Sequence, residues 1–569
     1  MDQRDNYWTR TAARRLSRRR AVGLAGSGMA AAFLAACGGG NDAKPGTAAP
    51  SGSASAASST APDPLAGLNA LVAGKSGGKL KLGVTLETGT LDPHVPGSGG
   101  DAPYLALFYN ALVGLDKLTP DPKYSLAEKW EIADPTTIVF TLRKDVKFHD
   151  GTPFDSAAVK YNVTRILDPS LKATWASQLS SIDRVETPDQ YTARFILKQP
   201  DAPLIFNMAS IYGAGMVSPT AVEKYGKDFK SHPVGTGPFV FDTWVPGDHV
   251  TGKRSPNYWE KDSAGKSLPY LDEVTIQPIP DDTVRYANIQ TGDVQAAGLA
   301  SKDIAPAEKN SDLKVQKGVP GIGVNALLHI NTAIAPMDNA NLRKAVAFAI
   351  DPAVIAKNVY FDLAVPDEAG MITPGSWGYA AQPGRPKYDV AKAKEFLKAG
   401  GKPDGFSMDI IAYAAPAIQQ QTEVYLEHWA KVGIKAQVTI QDVSTAVKTF
   451  FGPGEQKFPL MSTSWGGTSP EPSVISGIAY AKDAFYNPSH KPIDPRLDDL
   501  IAKARATYVQ EERKQLYTEI ERIVLVDQCY FVPLLLSQPR YVFRKNIGNT
   551  EASYYSGFTS RIQNWFING

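Results

Sequence analysis

A metal-dependent hydrolase needs clustered histidines and carboxylates, and a covalent one needs a nucleophile beside a base. This 569-residue chain spaces neither. Its seven histidines are scattered, and it has no H-E-x-x-H and no C-x-x-C. Gly74-Lys75-Ser76-Gly77-Gly78 matches G-x-S-x-G, but that elbow works only between a strand and a helix. Here it lies in a run of small and polar residues. Gly74-Lys75-Ser76 also lacks the earlier glycine of a phosphate-binding loop. Carboxylates are common, yet nothing in the sequence pairs two of them for acid–base work. The expectation is a chain that is not an enzyme, with no catalytic residue, no metal and no cofactor.

The two cysteines have different settings. Cys529 lies among Ile523, Val524, Leu525, Phe531 and Val532 and reads as a small buried hydrophobe. Cys37 follows a basic cluster (Arg14, Arg15, Arg18, Arg19, Arg20), an apolar run from Ala21 to Ala36, and the small residues Leu34-Ala35-Ala36. That order resembles a bacterial lipoprotein signal cleaved before Cys37, so residues 1–36 would take no part in the fold. Ser17-Arg18-Arg19-Arg20-Ala21-Val22 also resembles a twin-arginine signal, with Ala21 where that signal usually has phenylalanine. A membrane span needs roughly 20 predominantly apolar residues. This run is shorter and contains Gly23, Gly26 and Gly28. Residues 37–78 are rich in Gly, Ala, Ser, Thr and Pro and read as a disordered tether from the lipidated cysteine. Its average reach is roughly 35 Å.

About 490 residues remain, enough for two or three domains. Hydrophobic content is 43% and aromatic content 10%, as in a globular chain, and the formal net charge is +2. Basic residues do not cluster on the folded part, so no nucleic-acid partner is expected. Elements that must position any site alternate in type. Lys79-Leu80-Lys81-Leu82-Gly83-Val84 reads as a strand. Thr137 to Arg143 reads as another, with Ile138, Phe140 and Leu142 on one face. Asp389 caps a helix whose stripe is Val390, Ala393, Phe396 and Leu397, ended by Gly400-Gly401. A helix from about Ile418 to Val432 feeds the strand Lys435–Ile440. The class is α/β with antiparallel additions.

Five motifs then stand in one order. They are Thr90-Leu91-Asp92-Pro93-His94; Leu126-Ala127-Glu128-Lys129-Trp130 with Val146–Phe154; Pro233–Phe239 with Asn257-Tyr258-Trp259; Asn341–Val346 with Ala349-Ile350-Asp351; and Tyr388-Asp389 with Ala391–Lys394. From about residue 79 to 569 this series resembles the extracytoplasmic solute-binding proteins of the peptide/nickel ABC-transporter family, family 5. The resemblance implies a two-lobed periplasmic-binding-protein-like fold of type II, in the large cluster with an extra subdomain inserted in lobe one. Lobe one would comprise 79–111, 232–326 and 536–569, the inserted subdomain 112–231, and lobe two 327–535.

The same resemblance puts the ligand-binding loop at Ser464-Trp465-Gly466-Gly467-Thr468-Ser469-Pro470-Glu471-Pro472. Trp465 either stacks on ligand or anchors the loop in the core. Gly466 and Gly467 would let backbone amides approach a ligand closely. Peptide binders often carry an aspartate where Thr468 falls, gripping the peptide's α-ammonium, so Glu471 is the nearest candidate anion, or else caps a turn. His94 and Ser98 lie in a loop that faces the cleft in that family, and Tyr212 and Trp377 lie in Gly/Pro-rich loops. His149 sits in a family turn and reads as structural.

The protein so expected is a lipid-anchored, extracytoplasmic, monomeric binding protein. It would close on a short peptide or peptide-like amino compound and deliver it to an ABC permease. Oligosaccharides, opines and nickel chelates are alternative ligands, and a ligand-sensing lipoprotein or a secreted hydrolase are alternative functions. Each buried CH₂ of an acyl chain contributes about 0.8 kcal/mol, and stable anchoring takes more than one chain. Cells making the chain should therefore place it in the detergent phase of a partition, and Cys37→Ala should move it to the aqueous phase. Wild type found unlipidated in the aqueous phase refutes the signal reading.

Overall fold

The computed structural model describes residues 71–568 apart from 98, 117–118, 319–322, 367–369, 453–455, 466–468, 539 and 554–558. The signal, Cys37 and most of the tether lie outside the described residues. Among the described residues no helix is long and apolar enough to cross a membrane.

Two large sheets organise the chain. The first runs Leu313–Lys317, Arg540–Arg544, Ala296–Gly298, Lys79–Val84, Glu273–Pro278, His249–Arg254, Phe239–Val245. Lys79–Val84 is parallel to both its neighbours, and the other pairs are antiparallel. Its core holds Leu80, Leu82, Phe108, Phe239, Val274, Ile276, Phe543 and Trp565, so the C-terminal segment packs into the body that the N-terminal strand begins. The second sheet runs Ala364–Pro366, Phe531–Ser537, Gly323–Ile330, Leu460–Trp465, Ser407–Tyr413, Lys435–Gln441. It has its own core around Leu328, Leu342, Val346, Ile410, Trp429 and Leu460. We call the two bodies the first and second lobes.

The chain passes between these sheets from Lys317 to Gly323 and again from Ser537 to Arg540. The strands flanking the crossings pair on both sides: Lys317 opposes Arg540 in the first sheet, and Gly323 opposes Ser537 in the second. The side-chain amide of Gln538 donates to Gly318 O at 2.9 Å, bracing the connections against each other.

A third, antiparallel sheet (Ala127–Asp134, Thr137–Leu142, Thr192–Leu197, Ile182–Asp189) forms a subdomain with a separate core. The alternation read in the sequence is its cause. Ile138, Phe140 and Leu142 are buried while Thr137, Val139 and Thr141 are not, and Phe140 packs on Phe195 at 4.9 Å between ring centroids. Helix Ser156–Leu167, capped by Asp155 through Ala158 N, lays Ala158, Val159, Val163 and Ile166 on that face. Buried Asn162 ties the helix to the first lobe, accepting from Val217 N and donating to Val217 O. Elsewhere Asp389 caps helix Val390–Ala399 as its position suggested, accepting from Lys392 N. Helix Pro416–Ala430 precedes strand Lys435–Gln441. Cys529 is buried, and burial pushes its thiol up to about 11.

The tether expected to run to residue 78 is already fixed before that point. Val72 N donates to Asn549 Oδ1, Gly77 N donates to Tyr270 O, and Lys266 Nζ donates to Gly74 O. Composition concealed this because glycine is what the contact requires. A Cβ on Gly74 would lie 2.6 Å from the Tyr270 ring, and Gly77 has φ +117°. Gly74–Gly78 is therefore a backbone laid flat on the first lobe, with neither the strand nor the helix of a nucleophile elbow.

The loop before the first helix is pinned by a buried polar cluster. Arg165 grips both oxygens of Asp92, at 2.6 and 3.1 Å, and sits 2.6 Å from His94 Nδ1. An arginine N–H can only donate, so Nδ1 accepts and Nε2 carries the proton, donated to Gly215 O at 2.9 Å. His94 is 0% exposed, and burial, reinforced by Arg165 against the pull of Asp92, lowers its pKa to about 4. An unfolded chain takes up this proton near pH 6.5, the folded one only near pH 4. The contribution is thus whole above pH 6.5 and lost as pH falls toward 4. Between pH 7 and 5 the free energy of unfolding in urea should fall by about 2 kcal/mol more in wild type than in His94→Gln. Equal pH slopes would show that the neutral, doubly bonded ring is not what the fold demands.

Candidate functional site

Strand Leu460–Trp465 ends at the loop that the motif series singles out. Its preceding residues are fixed from below. Gln421 Nε2 donates to Thr463 O at 3.0 Å, and Thr422 Oγ1, which donates to Ile418 O, accepts from Ser462 Oγ at 2.7 Å. Trp465 is half-buried. It lies parallel to His329, with ring centroids 5.8 Å apart, and meets Tyr486 edge-on at 4.8 Å. His329 is buried between Phe451 and Phe531, which lowers its pKa to about 3 and keeps it a neutral aromatic plate. Tyr486 also packs on Phe451 and on Phe485, which is 53% exposed. Gly466, Gly467, Thr468 and Ser98 lie outside the described residues.

Glu471 is 4% exposed and its carboxylate is fully engaged. Oε1 accepts from Arg513 Nη2 at 2.5 Å and from Ser473 N at 3.2 Å, capping helix Pro472–Ile475. Oε2 accepts from Trp377 Nε1 at 3.3 Å. Arg513 in turn lies over the rings of Trp377, 4.9 Å from the centroid, and Tyr517, at 5.6 Å. Trp377 is half-buried, on the same lobe. Ser376 Oγ donates to Pro470 O at 2.8 Å, so the loop around 376–378 and the loop before 472 form one clamped unit. The buried pair therefore orients Trp377 and the chain on either side of Pro470.

Tyr212 comes from the first lobe and is half-buried. Burial raises its pKa, and the Tyr486 hydroxyl is the next contributor. Tyr212 departs from helical geometry, and the next residue, Gly213, has φ +112° with its α-carbon against Trp175. A Cβ there would lie 2.6 Å from that side chain, so this turn requires glycine.

Of the residues singled out in the sequence, Trp465, Trp377 and Glu471 are on the second lobe, and Tyr212 is on the first. His94 stands apart, with one ring nitrogen bonded to Gly215 O and the other to Arg165 of the subdomain helix. The sequence reading missed Tyr486 and Arg513. Tyr486 sits in Phe485-Tyr486-Asn487-Pro488, a turn-rich run whose aromatics were a usable signal. Arg513 carried none, standing in Glu511-Glu512-Arg513-Lys514, which looks like a solvated helix face. Among the described residues no group of three or more His, Cys, Asp and Glu is placed to hold a metal ion. The arrangement is one of flat rings and satisfied charges, suited to non-covalent capture.

Comparisons with known proteins agree with that chemistry. The family described as bacterial extracellular solute-binding proteins, family 5 Middle, matches residues 121–487. The glutathione-binding protein GsiB of Escherichia coli O1:K1 / APEC is 31% identical over 472 residues, covering 80% of this chain and 89% of the relative. Among solved structures, AgaA from A. tumefacien R10 in complex with agropinic acid is 28% identical with a TM-score of 0.76. That match covers 86% of this chain and 99% of AgaA. DppA from Helicobacter pylori in complex with the peptide STSA has a TM-score of 0.77 at 23% identity, covering 87% and 99%, and speaks to the fold alone. The fold is the two-lobed fold of periplasmic binding proteins. The extent of the family match and the coverage shared with GsiB establish that this chain belongs to the bacterial extracellular solute-binding proteins, family 5.

Proposed function

We propose that this chain captures a short peptide or peptide-like amino compound between its lobes and delivers it to an ABC permease. The observation that carries the reading is the aromatic group at the end of strand Leu460–Trp465, where half-buried Trp465 meets half-buried Tyr486 edge-on beside the exposed Phe485. Half-buried rings give large contact area at little conformational cost. The family supports capture and delivery, and the glutathione named for GsiB supports the ligand class. Trp465, Tyr212 and Trp377 are the ligand-lining rings of this proposal. The protein acts as a lipid-anchored monomer, held through Cys37 on the outer side of the cytoplasmic membrane, and performs no covalent step. Two lobes joined by two crossings close on the solute, which binds the closed form better and so shifts the population toward it.

Glu471 enters this reading as scaffold. Its charge is matched by Arg513, so it is not available to grip an ammonium, and Thr468 has no charge to offer. Recognition should therefore depend little on a free amine. Calorimetric titration with glutathione, N-acetylglutathione, dipeptides and agropinic acid tests this. Free and acetylated amines of one ligand should bind within about fivefold of each other, because no charge-assisted bond is lost. Trp465→Ala should weaken binding by about 2 kcal/mol, roughly 30-fold. A large free-amine preference that disappears in Glu471→Gln would make Glu471 the anchor. A large preference that survives it would sink this account of the loop.

The scaffold role has its own readout. Removing one partner of a buried pair leaves the other uncompensated, so Glu471→Gln should lower the free energy of unfolding by about 3 kcal/mol. An unchanged unfolding curve would contradict it. Closure should appear in small-angle scattering as a smaller radius of gyration with whichever compound of the series binds tightest. Tight binding with unchanged scattering would count against a hinge.

A further inference from the structure

The inserted subdomain and the second lobe have separate sheets and separate cores, yet a buried ion pair joins them. Asp201 follows strand Thr192–Leu197 of the subdomain, and Arg505 lies in the last turn of helix Leu497–Ala506 of the second lobe. Arg505 Nη2 stands 2.8 Å from Asp201 Oδ2, with the side chains 15% and 1% exposed. Ser181 Oγ donates to the same oxygen at 2.5 Å. The backbones also meet: Ala202 N donates to Arg505 O at 2.8 Å. Beside them Tyr508 donates its hydroxyl to Pro135 O at 3.0 Å. Gly477 comes so near the subdomain that a Cβ there would lie 3.0 Å from Gln178 Nε2.

The seam is incompletely satisfied. Asp201 Oδ1, Gln178 Oε1 and Asn207 Oδ1 are buried without a donor. These three residues are linked through one carbonyl, Gln178 O, which Asn207 Nδ2 reaches at 3.1 Å and Arg505 Nη2 at 3.5 Å. Desolvation nearly cancels the attraction of a buried ion pair, and unpaired acceptors cost further free energy. Such a contact gives the two bodies little net reason to stay together. Loss of either charge, however, leaves the other buried and alone. The seam is weak as glue and strict as register.

We propose that Asp201 and Arg505 form a latch that meets when the lobes close and returns to water when they open. The latch admits one closed geometry and leaves the free energy of closure to the solute. The inserted subdomain then belongs to the closing machinery. This rests on the closure proposed for the two lobes.

The test needs no identified ligand. In a full chain carrying Cys37→Ala, Gln178→Cys and Gly477→Cys, a short bifunctional thiosulfonate bridges the seam each time it forms, and native Cys529 is buried. The cross-linking rate reports the closed fraction. Adding Asp201→Asn should slow it at least about tenfold, because Arg505 would then be buried unpaired. Adding Asp201→Asn with Arg505→Gln should restore it to within about threefold of the starting rate. Unfolding curves of each variant separate a slower latch from a lost fold. A rate unaffected by Asp201→Asn, or a double variant slower than the single one, overturns the latch and leaves closure standing. Cross-linking in every variant as fast as the reagent meets a free thiol means a permanently closed seam and overturns the closure reading itself. No cross-linking in any variant overturns the latch.

Discussion

The two lobes are connected by a paired ribbon, and the rest of the structure answers to that fact. Strands Leu313–Lys317 and Arg540–Arg544 pair in one sheet, and Gly323–Ile330 and Phe531–Ser537 continue the pairing in the other. Arg540 adds a brace from its guanidinium to Leu363 O at 3.2 Å. For the proposed closure, every other contact between the lobes must be one that can be made and broken. An ion pair whose solvated and buried states are nearly balanced suits that need.

Several buried charges are either matched or kept neutral. Glu471 is matched by Arg513, Asp92 by Arg165, and His94 and His329 are kept neutral by burial. In the proposed site, recognition then falls mainly to aromatic surface. A cleft of that kind would read shape and contact area, where a bare carboxylate would read one cation. In the low dielectric of a closed cleft this distinction is large, because an unmatched charge is costly whenever its partner is absent.

The local elements were legible because they obey short-range rules. The Thr137–Leu142 strand shows its buried face in every second residue, and Asp389 announces its helix by capping it. The lobes were legible only through the order of motifs, since nothing local in Phe543 or Trp565 says that they return to the core begun by Leu80 and Leu82. The candidate site was half legible. Trp465, Trp377 and Glu471 stand in loops whose composition draws attention. Arg513, Asp201 and Arg505 look like ordinary surface charges until tertiary contacts bury them. The end of the tether was misplaced for a related reason: glycines suit disorder and also suit a backbone pressed against Tyr270 and Phe566.

That segment has a consequence for how the molecule is held. Val72 is bonded to Asn549, and Gly78 lies against Ile567, so both ends of the folded body emerge from the first lobe. An anchor at Cys37, as proposed, would then attach the body through its first lobe, and the point of attachment would be the same in open and closed molecules. Any preference of a permease for loaded protein must then come from the face that the two lobes present together.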